Sequence, residues 1–181
     1  ERFQKQIEYL TAHPDVAAVS TNYVEIDDQG AKRNFSSKYS QLPGIIRWRL
    51  LFGIQFLHPT MLIRRDIFSD QSLYYDESYQ ICPDYDLFCK ISERYKIANM
   101  TEIFYQYRRH GGNTFANNRE LTEREDSQII TRYINRILNT SLIDDFGFGM
   151  KRSESIKNLK QAITTSLIVC RLYKVARKWR L

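Results

Sequence analysis

Tyr75-Asp76-Glu77, followed by Cys82-Pro83-Asp84-Tyr85-Asp86-Leu87-Phe88, is the stretch whose reading decides the fold. A loop with two acids leads, within seven residues, into a segment that opens with two more acids and then turns apolar. Pro83 suits the first turn of a helix, where its missing N–H would have no intrahelical partner anyway. Asp84 and Asp86 suit the same turn, because the N-terminal end of a helix dipole favours negative charge. The spacing predicts a helix from Pro83 to about Tyr95, with Leu87, Phe88 and Ile91 as its buried stripe. A carboxylate fixed at such an edge of a fold can act as a general base.

Outward from this stretch, strands and helices alternate. Upstream, Pro59 to Ile63 in Leu57-His58-Pro59-Thr60-Met61-Leu62-Ile63-Arg64-Arg65 reads as a buried strand, and Asp66 to Asp70 as a short helix or turn. Ile45 to Phe52 reads as helical and residues 31–43 as irregular. Val16 to Ile26 is rich in β-branched and small residues and reads as a strand, closed by the turn signal Asp27-Asp28-Gln29-Gly30. Phe3, Ile7 and Leu10 form one face of a first helix, which His13-Pro14-Asp15 ends. Downstream, Glu102 to Tyr107 alternates as a strand and Gly111-Gly112 breaks it. Ile130, Tyr133, Ile134, Ile137 and Leu138 then follow a helical period. Residues 144–149 read as a linker, after which Ser153 is placed to cap a final helix. The expected class is α/β, with residues 1–116 as one unit and 117–181 as a helical extension.

Length and composition are those of a globular chain with a sizeable core: 181 residues, 43% hydrophobic and 27% charged. Cys82, Cys89 and Cys170 are odd in number and irregular in spacing, which argues against a disulfide framework or a zinc site and suits a reducing cytoplasm. No stretch approaches the roughly 18 apolar residues of a membrane span. The net charge of +6 is unevenly spread: residues 1–150 hold 18 basic and 20 acidic side chains, residues 151–181 hold 9 and 1. Any partner for that charge belongs at the tail. No helix-turn-helix, RNA-recognition or zinc-finger pattern accompanies it, so nucleic acid is not the expected partner.

The order His58-Pro59-Thr60-Met61-Leu62-Ile63-Arg64-Arg65, Tyr75-Asp76-Glu77, Pro83-Asp84-Tyr85-Asp86-Leu87-Phe88 and Tyr107-Arg108-Arg109-His110-Gly111-Gly112-Asn113 resembles the second half of an inverting, family 2 glycosyltransferase of the GT-A fold. Glu1-Arg2-Phe3-Gln4-Lys5-Gln6 resembles the segment after that family's metal-binding Asp-x-Asp motif. The resemblance covers about residues 1 to 115. It lacks a Gly-Ser-rich nucleotide loop and an Asp-x-Asp upstream of Glu1, and Pro83 stands where the family usually has Glu. It therefore implies a partial GT-A, Rossmann-like domain: the acceptor-side portion, cut just after its metal motif and inactive alone.

The resemblance makes Asp84 the catalytic base, which takes a proton from the acceptor hydroxyl; without it, Asp84 reads as a helix-start acid. His58, Asp76, Glu77 and Asp86 fall to the acceptor pocket, where each also has a structural reading as a satisfied histidine, loop acids or a helix-cap acid. Arg108 and Arg109 fall to the donor diphosphate, since a guanidinium suits two-pronged phosphate contacts; one of them reads equally as a solvated strand-end charge. His110 falls to a divalent metal, Mn or Mg, whose main carboxylates lie outside this chain, or is a loop histidine bonded to backbone. A nucleotide-sugar donor and a saccharide or lipid-linked acceptor are the implied partners. Residues 151–181 interleave Arg171, Lys174, Arg177, Lys178 and Arg180 with Leu172, Tyr173, Val175 and Trp179. Such a helix can lie on an anionic membrane surface, pack on the domain or join two copies. A cytoplasmic site at the inner face of a membrane and self-association through uncovered sheet edges are expected. The rival reading is a non-catalytic binding module that docks through this tail.

Overall fold

The computed structural model describes residues 1–36, 39–110 and 118–138. Its elements in chain order are α1 (Arg2–Ala12), β1 (Val16–Ile26), β2 (Lys32–Ser36), α2 (Pro43–Arg49), a 3-10 turn (His58–Thr60), β3 (Leu62–Ile63), 3-10 turns at Arg65–Ser69 and Gln71–Leu73, α3 (Pro83–Arg94), β4 (Lys96–Arg108) and α4 (Arg119–Leu138). The linker, the final helix, the basic tail and the Gly111-Gly112 break expected from sequence lie outside the described residues.

The chain is α/β, organised on β1. β4 runs parallel to β1 from Val16↔Lys96 to Ile26↔Arg108. β3 pairs antiparallel at Ala18 and Val19, and β2 at Val24 and Ile26, so both share the other edge of β1. A strand with neighbours on both edges and helices on both faces should be buried almost throughout. Nine of the eleven β1 residues are buried. Leu10, Val16, Val19, Ala98 and Met100 form the smaller cluster, on the α1 side. Ala18, Ile97 and the inward residues of α2, α3 and α4 form the larger one. Ile129, Ile130, Tyr133 and Ile134 of α4 thus share a core with Leu87, Phe88 and Ile91 of α3.

Polar groups tie these layers at chosen points. The Gln6 amide, wholly buried in α1, donates to Val19 O at 3.0 Å and Thr60 O at 2.7 Å. Arg2 donates to Pro59 O at 2.8 Å. The His58-Pro59-Thr60 turn is therefore held from below by α1. Arg64 donates from Nε to Val16 O at 2.9 Å and from its terminal nitrogen to Leu10 O, closing the α1–β1 junction. Tyr133 joins α4 to its neighbours: its hydroxyl shares a 2.8 Å hydrogen bond with Ser92 and donates to Arg47 O at 3.2 Å.

Four local readings are corrected. Of the expected α1 face only Leu10 is buried; Phe3 and Ile7 are more than half exposed and Gln6 takes the inner position. Gln6 donates to two backbone carbonyls, which an apolar side chain could not do. Residues 31–43 are not wholly irregular, since Lys32–Ser36 extends the sheet through the Gly30 turn. Gly30 has φ +89°, and Asp27 Oδ1 accepts from the amides of Gln29 and Ala31 there. The expected strand at 59–63 is a 3-10 turn followed by two strand residues, because the Thr60 amide and hydroxyl both donate back to Leu57 O. The expected strand at 102–107 begins earlier, at Lys96, and its early residues Ile97 to Met100 are buried beside β1.

The exchange of faces on α1 is testable by urea denaturation. Leu10→Ala is expected to cost about 2–5 kcal/mol as a core truncation. Ile7→Ser is expected to stay within about 0.5 kcal/mol of the parent, as an exposed substitution does.

Candidate functional site

In open α/β sheets, ligands bind beyond the carboxyl ends of parallel strands. A groove of about 860 Å³ lies at that end of β1 and β4. Its strand-end wall carries Tyr23 from β1 and Tyr107, Arg109 and His110 from the end of β4. The 53–59 segment supplies Phe56 and His58, and the start of α3 supplies Asp84 and Tyr85. α4 contributes Asp126. Four sequence-derived candidates, His58, Asp84, Arg109 and His110, are thereby brought together. Gly53, also on the wall, has φ +142°, a conformation that side-chain-bearing residues rarely adopt.

The chemical centre is a pair. His58 Nδ1 stands 3.2 Å from Asp84 Oδ2. Asp84 sits in the first turn of α3, and its Oδ1 accepts from the Tyr85 amide at 2.9 Å. His58 lies face to face with Tyr75 and edge-on to Phe88. Tyr75 Oη approaches His58 Nε2 at 3.5 Å. Burial, reinforced by the Asp84 charge, pushes the Tyr75 phenol up. The imidazole therefore has an aromatic seat on two sides and a carboxylate on a third.

Asp126 is the second acid of the groove. Burial first, then the charges of Asp84 and Glu125, raise its pKa against the opposing hydrogen bond from the Cys82 thiol. The thiol itself is pushed far up, by burial and by the Asp126 charge. The aromatic wall is continuous: Tyr23 lies 6.3 Å from Tyr39 and 6.0 Å edge-on from Tyr107. Tyr85 Oη donates to Leu50 O at 2.5 Å, which fixes its ring beside Asp84.

The loop before Asp84 owes its shape to α4. Glu125 is 3% exposed. Its Oε1 accepts from the Gln80 amide at 2.8 Å; its Oε2 accepts from the amides of Ile81 at 2.9 Å and Cys82 at 2.8 Å. Burial alone would raise the Glu125 pKa, but the three backbone donors outweigh it and hold the carboxyl below its ordinary range. Two turns further along α4, Arg132 donates to Asp76 Oδ2 at 3.1 Å and lies over the Tyr79 ring at 5.3 Å.

The other expected site residues stand elsewhere. Asp86 is wholly buried and meets Lys90 Nζ at 2.6 Å, one turn along α3, so it does not line the groove. Asp76 turns its own loop by accepting from the Ser78 amide and hydroxyl, the main cause of its lowered pKa, and then pairs with Arg132. Glu77 is exposed outside the groove. Arg108 donates to Asp27 O at 2.8 Å and Asp28 O at 2.7 Å, clasping the β1–β2 turn. Arg109 keeps its place in the groove, joined to Glu25 at 2.9 Å and lying over Tyr107. Among the described residues no three His, Cys, Asp or Glu side chains gather into a cluster that could hold a metal ion. Among them, too, no helix is long and apolar enough to cross a membrane.

Sequence reasoning missed Glu125 and Asp126. The signal was present: continuing the α4 stripe back from Ile129 and Tyr133 lands on Glu125 and Thr122, polar residues at core positions. Neither the known protein-family models nor the proteins of curated function yield a match to this chain.

A lowered carboxyl pKa contributes stability above the unfolded-state value, near 4.5 for Glu, and that stability is lost as pH falls through the folded value. Glu125→Gln should therefore cost about 1.5–3 kcal/mol at pH 7. The gap between parent and variant should shrink as pH is lowered progressively below 4.5, measured by urea denaturation at each pH.

Proposed function

We propose that this chain is the acceptor-side portion of an inverting, family 2 glycosyltransferase of the GT-A fold. The observation that carries the reading is the His58–Asp84 pair in a tyrosine-walled groove at the carboxyl ends of two parallel strands. Pyranose rings have apolar C–H faces and hydroxyl edges. A groove with flat aromatic walls and a few fixed polar groups suits such a ligand. It suits a saccharide acceptor, free or carried on a lipid.

In the proposed reaction an acceptor hydroxyl attacks the anomeric carbon of a nucleotide-sugar. The new bond joins acceptor oxygen to that carbon; the bond to the diphosphate breaks on the opposite face, and the nucleoside diphosphate leaves with the electron pair. Asp84 takes the hydroxyl proton as its oxygen attacks. His58 holds the carboxylate in one orientation, and Tyr75 and Phe88 hold His58. In this reading Arg109, on the groove wall and paired with Glu25, takes the departing diphosphate. Arg108 has a structural task in the β1–β2 turn instead.

The test is sugar transfer, with donor hydrolysis as a second readout, by the product of the complete reading frame. A panel of nucleotide-sugars with Mn is supplied, beside Asp84→Asn and Asp126→Asn. Asp84→Asn is expected to lower kcat about 10²–10⁴-fold, the usual worth of a general base. Full activity in Asp84→Asn with loss in Asp126→Asn would move the base to α4. Neither turnover nor nucleotide-sugar binding by the parent would overturn the reading in favour of a binding module.

A further inference from the structure

We infer that Glu125 is a positioning residue for Asp84, acting through the backbone of Gln80-Ile81-Cys82; the functional part of this inference rests on Asp84 being the base. The geometry is specific. Three consecutive amides of an irregular loop converge on one buried carboxylate at 2.8, 2.9 and 2.8 Å. Cys82 is the residue that enters α3, and its carbonyl accepts from the amides of Tyr85 and Asp86. Asp84 lies two residues after the last clamped amide, with no side-chain cap at Cys82 to fix the helix start. Glu125 supplies from another helix the restraint that a cap would supply locally.

The clamp is directional as well as tight. Arg132, seven residues along the same helix, holds Asp76 and Tyr79 at the other end of the loop. Both ends of the 76–82 segment are thus referred to one rigid element, which is rooted in the core through Ile129 and Tyr133. His58 approaches Asp84 from the opposite side and is set by α1 through Pro59 O and Thr60 O. The 3.2 Å approach of imidazole to carboxylate is where these two segments meet, with Phe88 of α3 edge-on to the imidazole beside it. A shift of the α3 start by a fraction of that distance would part the pair. Glu125→Gln keeps the side-chain shape but turns an NH₂ group toward a backbone N–H, so at least one of the three bonds is lost.

The first arm reads geometry without catalysis. The ¹⁵N imidazole signals of His58 are recorded at a fixed pH 7 in the complete protein, in Asp84→Asn, in Glu125→Gln and in Met100→Ala. The expected result is that Glu125→Gln moves the His58 signals in the direction of Asp84→Asn, while Met100→Ala, a core truncation in β4 that touches neither anchor, leaves them in place. Signals unmoved in Glu125→Gln overturn the positioning role, whatever its stability. The second arm is turnover: Glu125→Gln is expected to lower kcat about 100-fold with KM little changed, the scale of an ångström-level misplacement, and to add nothing in an Asp84→Asn background. Shifted His58 signals with full turnover in Asp84→Asn would leave the positioning in place and remove Asp84 as the base. Shifted signals with additive losses in the double variant would overturn the link from Glu125 to catalysis.

Discussion

One buried carboxylate, Glu125, and the three backbone amides it accepts are the interaction on which the groove depends. Neither side is stable without the other. A buried carboxylate without donors costs several kcal/mol, and each amide left unpaired in the interior costs about 1–3 kcal/mol. Joined, they fix an irregular loop as firmly as a ladder of sheet hydrogen bonds would. The loop leads directly into the helix that carries Asp84, so the restraint is passed along the chain without a further contact.

The rest of the architecture supplies what this restraint works against. β1 is buried on both faces, which lets α1 pack on one side and α3 with α4 on the other. α1 then sets the His58 turn through Arg2 and Gln6, and α4 sets the Asp84 turn through Glu125. The His58 turn is tied to α1 and the Asp84 turn to α4, and Phe88 of α3 packs edge-on against His58. The two turns meet at the carboxyl ends of the parallel strands, the position where α/β sheets present ligand sites.

Much of this was legible in the order of residues, and what was not has identifiable physics. Val16–Ile26 and the Pro83 helix start follow from local rules: β-branched burial and the geometry of proline at a first turn. Their neighbours depended on partners far away in sequence. Ile7 has the spacing of a core residue, but Gln6 is the residue buried there, with its amide donating to Val19 O and Thr60 O across the fold. Lys32–Ser36 has no strand pattern of its own and is recruited by the edge of β1. At the site, His58 and Asp84 were found from the order of motifs. Asp76, Asp86 and Arg108 have the right chemistry and lie nearby, yet each is committed to a local structural bond. Glu125 falls on the buried stripe of α4 and was passed over because a helix-period reading scores acids as solvent-facing; Asp126 lies beside that stripe, and only the tertiary fold turns it toward the groove.

The central claim is best tested at the three amides themselves, by native-state hydrogen exchange of Gln80, Ile81 and Cys82 followed by NMR. Unclamped amides in an irregular loop exchange through frequent local opening, whereas amides bonded to a buried acceptor wait for larger unfolding. The account predicts that all three exchange about as slowly as amides in the middle of α3. Fast, loop-like exchange at these positions would contradict it, because a carboxylate that does not hold the loop cannot set the start of the helix or the place of Asp84.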